Sequence, residues 1–433
     1  MAEEKLDRVL RLRDLVAFAL IAMVPIAPMG IYGIVAVLSD GHVPLVYLLA
    51  AIVMSFTAWA YGQCAYRFPE AGSAYAYVRE SLGSHVGFLA GWALLLDYIL
   101  IPGLVILVSA LWIEAATGLP FYLWALVFLV PATVLNILGI KRAAKVTMGL
   151  FFFEIAVFVI FVLAAAAKII TDPSLSFTLA PFYNPETFSV GAILSGASVA
   201  VLSFLGFDMM TTLAEETVEA RKVVSKAALI VIPLVAFFFI SLTYFGAVIH
   251  PGATFEDPDV AFFFIAQETG GDWLQVLCML GTVIAWGVGN CLVAQASVSR
   301  VLFSMGRQGH IPAIFAKLHP TYKSPYISIV TVAVITGVLL YVLTLQDLSS
   351  LVNFGALTTF MLLHLSLAYR FIAIEETPKM AVIPAIGFFL TGAIWYSLDI
   401  FAKEIGFAWV IIGIVYLAII TKGFKVKTTL PVE

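Results

Sequence analysis

The sequence predicts an all-α integral membrane protein with twelve transmembrane helices, of which helices 1 and 6 are broken. Three observations predict this fold class: the composition, a recurrence of apolar runs, and the placement of the few charged residues. Of the 433 residues, 62% are hydrophobic and 12% are charged, whereas an ordinary soluble domain is roughly 45–50% apolar and about 25% charged. A water-soluble globule of this composition would expose too much apolar surface to stay dispersed. The composition therefore favours the lipid bilayer as the protein's surroundings and argues against a soluble enzyme or a nucleic-acid-binding protein.

Twelve apolar runs follow one another along the chain, separated by polar breaks. A helix that crosses a bilayer needs about 20 apolar residues, and the runs lack the alternating pattern of outer-membrane β-strands. We therefore expect one helix, here called a span, from each run. Spans 1 to 12 cover residues 15–38, 44–66, 86–111, 121–140, 146–169, 189–214, 227–249, 273–299, 326–345, 348–370, 380–400 and 406–421.

The basic residues indicate how the chain is threaded through the membrane. If both termini lie on one side, 21 of the 23 Lys and Arg residues fall on that side, and only Lys168 and Lys403 fall on the other. Lys and Arg accumulate in cytoplasmic loops. We therefore expect a plasma (inner) membrane protein whose N-terminal segment 1–14 and tail 422–433 are both cytoplasmic. No Lys or Arg is expected within the core of a span.

Span 1 contains two prolines and two glycines within nine residues, Pro25, Pro28, Gly30 and Gly33. Each proline lacks an N–H, and its ring clashes with the carbonyl four residues earlier. Irregular backbone at mid-membrane depth is tolerated only where protein or a water-filled cavity covers it. The pattern therefore predicts an unwound segment in span 1 rather than a simple kink.

Span 6 has a matching interruption, with three glycines, several serines and the acidic Asp208 in its second half. A pair of interrupted helices in corresponding positions of two halves points to an inverted-repeat transporter with its binding site near the midplane. The pattern of breaks therefore divides the chain into two repeats and two additional spans. These are 15–170 for spans 1–5, 189–370 for spans 6–10, and 380–421 for spans 11 and 12.

Three acidic residues lie inside spans: Asp97 in span 3, Glu154 in span 5 and Asp208 in span 6. Carboxylates within the membrane are costly and by default suggest function. Asp97 is expected to face a central cavity and to pair with a substrate ammonium, with Tyr98 and Tyr32 adding cation–π or hydroxyl contacts. Glu154 follows three phenylalanines, an apolar setting suited to a group that loads and releases a proton. The alternative for Asp97 and Glu154 is structural, a protonated carboxyl that bonds a neighbouring helix.

No motif of an enzyme is present. The chain has no Walker A sequence, no HExxH and no paired spacing of metal ligands. Cys64, Cys278 and Cys291 all lie within apolar runs, so a disulfide framework has no support. The sequence therefore predicts neither an enzyme nor a cofactor or metal site. A channel stays an alternative, although no filter-like carbonyl loop is recognised.

Three blocks of sequence carry a family resemblance. They are Tyr61–Trp92 around the second-to-third connection, Ser203–Ala227 around the broken sixth span, and Ala296–Tyr326 at the exit of the eighth. Together they are similar to the corresponding blocks of the amino acid–polyamine–organocation (APC) permeases, and the resemblance covers nearly the whole chain. It implies the LeuT-type fold, in which two five-helix inverted repeats are followed by two extra helices. It also implies transport by alternating access.

Within that family, the stretch Pro25–Gly33 and the residues around Asp97 most resemble bacterial putrescine importers. Amino-acid permeases of the family typically carry a G-S/T-G run in the first helix, whose N–H groups hold the substrate carboxylate. Here the matching stretch is Ala27–Gly30, and its Pro28 has no N–H. A second departure is Glu154, which stands where some proton-coupled relatives have a Lys in place of sodium. The coupling ion therefore stays open.

The sequence thus predicts an importer of a small cationic amine, putrescine or a related polyamine, driven by protons, by the membrane potential or by both. A proton-coupled amino-acid permease of the same fold is the main alternative, and a channel or a substrate-sensing receptor is a further one. Sodium coupling and the oligomeric state stay open. Asp208 or Glu154 is expected to carry the coupling proton or a second ammonium. The expected substrate-binding residues are Ile26, Ala27, Met29, Gly30, Tyr32, Asp97, Tyr98, Ser203, Phe204, Gly206, Phe207 and Asp208.

Overall fold

A computed structural model describes residue 6 and residues 8–425, so parts of the predicted terminal segments 1–14 and 422–433 lie outside the described residues. Within the described part, the chain is helical apart from turns, loops and one isolated β-bridge between Leu10 and Thr217. The α-helices are α1 (Leu12–Met23), α2 (Pro28–Leu38), α3 (Val43–Arg67), α4 (Ala74–Leu82), α5 (Ser84–Thr117), α6 (Phe121–Ile137), α7 (Ile140–Thr171), α8 (Val190–Ala200), α9 (Ala220–Ile249), α10 (Ala261–Gly270), α11 (Asp272–Ile284), α12 (Cys291–Arg307), α13 (Tyr326–Val342), α14 (Leu345–Tyr369), α15 (Val382–Tyr396) and α16 (Ile400–Ile420).

All twelve predicted apolar runs are helical. In the described residues, nine helical segments are long and apolar enough to cross a membrane, and the bent pair α1–α2 makes a tenth. The two remaining runs form α6 and α13, which are apolar but only 17 residues long. The all-helical membrane class is therefore confirmed, and twelve crossings stay a prediction. The short helices α4 and α10 lie in the connections before α5 and α11.

Span 1 is broken as its prolines predict. The helix α1 ends at Met23, and α2 begins at Pro28 with its axis turned by 50°. Val24 between them has φ 55°, a conformation that is costly for a β-branched residue. Pro28 occupies the first position of α2, where its missing N–H costs no helical hydrogen bond. The break therefore lies at the residues expected to unwind.

Span 6 is broken at Gly206, which has φ 105°. The helix α8 continues as a short 3₁₀ turn, Val201–Phe204, and after Gly206 the chain forms a 3₁₀ helix, Phe207–Glu216. Such helices rarely exceed about four residues, and one within a span often marks a hinge. A Cβ atom at Gly206 would lie 3.0 Å from the carbonyl oxygen of Ala22 in α1. The breaks in spans 1 and 6 therefore touch each other.

Two charged residues lie elsewhere than predicted. Arg300 was expected at the cytoplasmic end of span 8, but it lies within α12 and is only 2% exposed. A buried acid, Glu216, pairs with it, and the expectation that no basic residue lies within a span core stays a prediction. Asp399 was expected at the end of span 11, but it caps the first turn of α16, where its Oδ1 accepts from the N–H of Ala402.

Close helix packing places α14 against α5. A Cβ atom at Gly355 of α14 would lie 2.7 Å from the backbone nitrogen of Asp97 and 2.9 Å from the carbonyl oxygen of Ala93. Small residues let membrane helices approach closely. Gly355 therefore brings α14 directly onto the turn of α5 that carries Asp97.

Candidate functional site

Asp208 lies where α3 and α5 meet the 3₁₀ half of span 6. Its Oδ2 accepts hydrogen bonds from the hydroxyl of Tyr61 on α3 at 2.9 Å and from the hydroxyl of Tyr98 on α5 at 2.7 Å. Its Oδ1 is buried and has no hydrogen-bond partner in the protein. A buried polar atom without a partner costs about 1–3 kcal/mol. This oxygen is therefore positioned for a donor that the protein itself does not supply.

Asp97 directly precedes Tyr98, whose hydroxyl bonds Asp208, so both acidic residues belong to the contact between α5 and span 6. It is fully buried, and neither of its carboxyl oxygens has a hydrogen-bond partner. Among the residues that the structure describes, no ion pair includes Asp97 or Asp208. A buried charge is stable only when it is paired or neutralised. The two residues together thus present three unpartnered carboxyl oxygens to a proton or a cation.

Aromatic rings pack around Tyr61, one of the two partners of Asp208. The ring of Tyr61 packs edge-to-face against Phe207 of span 6, with centroids 5.4 Å apart, and against Phe360 of α14 at 5.8 Å. Phe207 and Phe360 also contact each other at 5.7 Å. Aromatic faces attract cations and pack against methylene groups. A buried carboxyl group whose partner Tyr61 packs among these rings suits an alkylammonium.

The break in span 1 offers few backbone donors. Pro25 and Pro28 have no N–H. The N–H groups of Ala27, Met29 and Gly30 already donate to carbonyl oxygens three residues earlier, at 2.7, 2.9 and 3.0 Å. Five of the six residues Pro25–Gly30 therefore have no free N–H for an anion. The arrangement does not suit a substrate carboxylate at this position.

Two of the predicted site residues point their side chains elsewhere. Tyr32 packs edge-on against Phe255 and Phe262, close to the connection before α10. Ser203 shares a hydrogen bond of 3.0 Å with the hydroxyl of Tyr47 on α3. The backbone of Ser203 still belongs to the broken stretch of span 6, but its hydroxyl is already used.

Other predicted residues contact neighbouring helices. Phe204 packs against Phe239 of α9, with ring centroids 5.0 Å apart. The sulfur of Met29 lies 3.8 Å from the hydroxyl of Thr282. A Cβ atom at Gly30 would lie 2.7 Å from the ring of Trp286. Ile26 lies within 3.6 Å of a Cβ atom built at Gly281 on α11. Ala27 and Gly206 belong to the breaks in spans 1 and 6. Tyr98 binds Asp208, and Asp97 and Phe207 are their neighbours in the sequence.

Glu154 lies on α7 beside a second irregular segment. Residues Ala285–Asn290 between α11 and α12 form a π-helix, a feature found frequently at functional sites. A Cβ atom at Gly289 would lie 3.6 Å from Oε1 of Glu154, and both carboxyl oxygens of Glu154 are buried without a partner. The next residue, Asn290, donates to the carbonyl oxygen of Ala22 at 2.7 Å. Glu154 therefore lies beside the π-helix whose Asn290 bonds the end of α1.

The Lys- and Arg-rich end of the molecule is closed by ion pairs. Arg307 of α12 pairs with Glu215, whose Oε1 also accepts from the backbone N–H of Ala71 at 3.1 Å. Glu375 joins the end of α3 to the end of α14 through two arginines. Its hydrogen bond to the Arg67 guanidinium keeps the pKa of Glu375 below its usual value. With these contacts in place, Asp97 and Asp208 are sealed from solvent.

Three residues of this site were not predicted from the sequence: Tyr61, Phe360 and Gly355. They lie on spans 2 and 10, and Tyr61 is 147 residues from its partner Asp208. Tyr61 is the first residue of one block that carries the family resemblance, which was the one available signal. A hydroxyl or aromatic residue in an apolar run is otherwise indistinguishable from an ordinary core residue.

No group of three or more His, Cys, Asp or Glu residues that could hold a metal is found within residue 6 and residues 8–425. The donors at the site are isolated carboxyl groups on different helices. Their arrangement suits a bound cationic ligand or a proton better than a resident metal.

Comparison with known proteins places the chain in a family. The family model described as "Amino acid permease" matches residues 15–432. The low-affinity putrescine importer PlaP of Escherichia coli K12 is 31% identical, over 97% of this chain and 95% of its own length. The branched-chain amino acid permease BcaP of Bacillus subtilis is 26% identical, over 95% and 93%. The methylthioribose transporter of Bacillus subtilis is 23% identical, over 92% and 89%.

The family and these relatives are transporters rather than enzymes, in agreement with the lack of an enzyme motif in the sequence. The resemblance in the three sequence blocks is confirmed by matches that cover almost all of the chain. The chain belongs to the amino acid permease family of APC transporters and is a multi-pass membrane protein.

Proposed function

We propose that this protein imports a small cationic amine, putrescine or a related polyamine, by alternating access. One observation carries the proposal: Asp208 and Asp97, the residue next to its partner Tyr98, are both fully buried, and three of their carboxyl oxygens lack a partner. A diamine has two ammonium groups joined by methylenes. One ammonium binds Asp97 and the other binds Oδ1 of Asp208, while the methylenes pack against Phe207 and Phe360.

The break in span 1 supports an amine over an amino acid. An amino acid needs donors for its carboxylate, and most N–H groups of Pro25–Gly30 are missing or already bonded. The carbonyl groups of the two broken stretches, around Pro25–Gly30 and Ser203–Phe207, are acceptors that suit an ammonium. The similarity to a putrescine importer along nearly the whole chain supports the same substrate class.

The proposed architecture has twelve membrane crossings, with inverted repeats 15–170 and 189–370, additional spans in 380–421, and cytoplasmic termini. Moving one positive charge inward gains about 2.3 kcal/mol per 100 mV of membrane potential. A dication gains about twice that amount. The potential of a plasma membrane therefore supplies a driving force even without a coupled ion.

A coupled proton adds to this force, and Asp208 or Glu154 carries it. Both carboxyl groups are buried without an ion-pair partner, so each is stabilised by a bound proton. Replacing external sodium with choline tests whether sodium has any part in coupling. Uptake that depends on sodium at constant pH would contradict proton coupling.

The experiment is uptake of labelled putrescine into proteoliposomes by the wild type and by Asp97→Asn. Asn keeps the shape but removes a charge-assisted contact of about 2 kcal/mol, so the apparent KM should rise about 30-fold. Asp172→Asn, which alters a partly exposed acid at the end of α7, is the matched control and should behave as the wild type. Wild-type uptake by Asp97→Asn would contradict the role of Asp97.

An amino-acid permease is the second candidate, because a branched-chain amino acid permease is 26% identical over 95% of the chain. Competition distinguishes the two substrate classes. If leucine or isoleucine blocks uptake and diamines do not, the chain is an amino-acid permease. Single-channel currents would indicate a channel, and binding without counterflow exchange would indicate a receptor.

A further inference from the structure

A series of buried hydroxyl groups extends from Asp208 towards the loop between α3 and α4. The hydroxyl of Tyr61 donates to Asp208 Oδ2 at 2.9 Å. Ser73 lies one helical turn before Tyr77, whose ring packs against that of Tyr61 with centroids 6.0 Å apart, and the Ser73 hydroxyl has no aligned hydrogen-bond partner. Ser73 is fully buried although it belongs to a loop. We call Asp208, Tyr61 and Ser73 the hydroxyl chain.

The backbone of Ser73 adopts a strained conformation. Its backbone φ is 52°, a conformation that L-residues rarely adopt and that is maintained only where the surroundings enforce it. Two further buried hydroxyls without an aligned partner lie nearby, on Tyr77 and Ser304. A Cβ atom at Gly72, next to Ser73, would lie 3.0 Å from Oγ of Ser304. A buried cluster of unsatisfied hydroxyls is unusual, and its position beside the chain suggests a use.

The loop that leads to Ser73 begins at the surface. Glu70 lies three residues before Ser73, its side chain is 40% exposed, and it pairs with Arg79 at 2.7 Å. The loop therefore passes from solvent to a fully buried hydroxyl within a few residues, on the Lys- and Arg-rich side. The titratable groups that face Asp208 are Tyr61 from α3, Asp97 and Tyr98 from α5, and Tyr77 from α4.

We propose that Tyr61 and Ser73 conduct the coupling proton between Asp208 and the Lys- and Arg-rich side of the membrane. The proposal rests on the proposed proton-coupled amine import and names its proton route. On release, the O–H bond of protonated Asp208 breaks as the proton passes to the Tyr61 oxygen. The proton of Tyr61 passes to Ser73 in the same step, and that of Ser73 passes to a water molecule at the loop. Asp208 is left as a carboxylate that accepts from Tyr61, as in the structure.

Ser73→Ala tests the route, because it removes one hydroxyl that does not touch the amine site. Two properties are measured in proteoliposomes: putrescine counterflow, which needs no net proton movement, and accumulation driven by an imposed proton gradient. Ser73→Ala should keep counterflow but lose about tenfold or more of the response to the gradient. Ser109→Ala, which removes an equally buried and unpartnered hydroxyl of α5, should keep both.

Two tyrosine variants separate the route from the positioning of Asp208. Tyr61→Phe and Tyr98→Phe each remove one bond to the same carboxyl oxygen. Both should raise the apparent KM for putrescine, but only Tyr61→Phe should also lose the response to the proton gradient. Equal loss in both variants, or a wild-type response in Ser73→Ala, would overturn the route.

The outcomes distinguish the route from the function on which it rests. Wild-type protein that exchanges putrescine but ignores the proton gradient would overturn the route and the coupled proton, but not amine import. Wild-type protein without any putrescine counterflow would overturn the proposed function, and the route with it. Loss of both counterflow and coupling in Ser73→Ala would show a structural role and would also overturn the route.

Discussion

Glu216 and Arg300 form a buried ion pair that joins the ends of broken spans 1 and 6 to α12. The carboxylate of Glu216 accepts from Nε and Nη2 of Arg300 at 2.5 and 3.0 Å, and both side chains are only 2–3% exposed. The carbonyl oxygen of Glu216 also accepts from the N–H groups of Val9 and Leu10 at 2.8 and 3.0 Å. One residue therefore links the segment before α1, the end of span 6 and span 8. Any movement that separates these three segments must break these contacts.

Arg300→Gln is expected to destabilise the protein strongly. Removing one partner of a buried ion pair leaves an uncompensated charge and costs about 3–5 kcal/mol. Thermal unfolding in detergent should show a clear decrease in Tm. Arg13→Gln is the control, because Arg13 is 78% exposed beside Asp14 and its loss should change Tm little. The double variant that also carries Glu216→Gln should be more stable than Arg300→Gln alone, and a lower Tm would contradict the pairing.

Gly355→Ala is expected to weaken amine binding by moving Asp97. The added methyl would lie 2.7 Å from the Asp97 backbone nitrogen, so α5 or α14 must shift. Misplacement of a binding group by about 1 Å can cost about a hundredfold in rate. We expect the apparent KM for putrescine to rise about tenfold or more. Gly337→Ala in α13 is the control, since a Cβ there meets nothing within 4 Å.

Measuring both the Tm and the apparent KM of Gly355→Ala separates a positioning role from simple overpacking. Overpacking alone costs about 1–3 kcal/mol of stability and lowers the amount of folded protein without changing the KM of what remains. A reduced Tm with an unchanged KM would therefore contradict a positioning role for Gly355.

The breaks and the acidic residues of the site could be predicted because each has a local signal. Two prolines and two glycines within nine residues cannot continue a regular helix, so the break after Met23 is recognisable in the sequence. An acid such as Asp97 within an apolar run is rare enough to identify a functional position. These signals depend on neighbouring residues in the chain and not on the packing of the helices.

The partners of these residues could not be predicted, because they depend on packing between distant helices. Tyr61 reaches Asp208 across 147 residues, and Arg300 reaches Glu216 across 84. An Arg at the end of an apolar run resembles an ordinary interfacial residue until its buried partner is known. The direction of the Tyr32 side chain depends on the rotation of α2 after the break, which the sequence does not specify.

His310 is expected to make stability depend on pH. Its Nδ1 lies 2.5 Å from the hydroxyl of Tyr75 and its Nε2 lies 3.3 Å from Oγ of Ser84. Burial, together with the charge of Arg79, lowers the pKa of His310 from 6.5 to about 4. Between these values the unfolded chain binds more protons than the folded one, so stability rises with pH. This contribution is complete above pH 6.5 and is lost as the pH falls towards 4.

The measurement for His310 is Tm at neutral pH and at about pH 4 for the wild type and for His310→Gln. The variant should lose part of the decrease in Tm that the wild type shows on acidification. His250→Gln is the control, because His250 is 32% exposed at its pairing with Glu268 and its loss should leave the decrease unchanged. An identical decrease in Tm for the wild type and His310→Gln would contradict the assignment.

Glu154→Gln decides which buried carboxyl carries the coupling proton. If Asp208 carries it through Tyr61, the neutral Gln at residue 154 should leave the response to a proton gradient within about twofold of the wild type. Asp208→Asn should abolish that response, because no proton can be loaded or released at the amide. Both are measured as the ratio of gradient-driven accumulation to counterflow at saturating putrescine, because Asp208→Asn also removes an ammonium contact and lowers counterflow at low putrescine concentration. The opposite result would assign coupling to Glu154, beside the π-helix and the end of α1, and would contradict the proton route through Ser73.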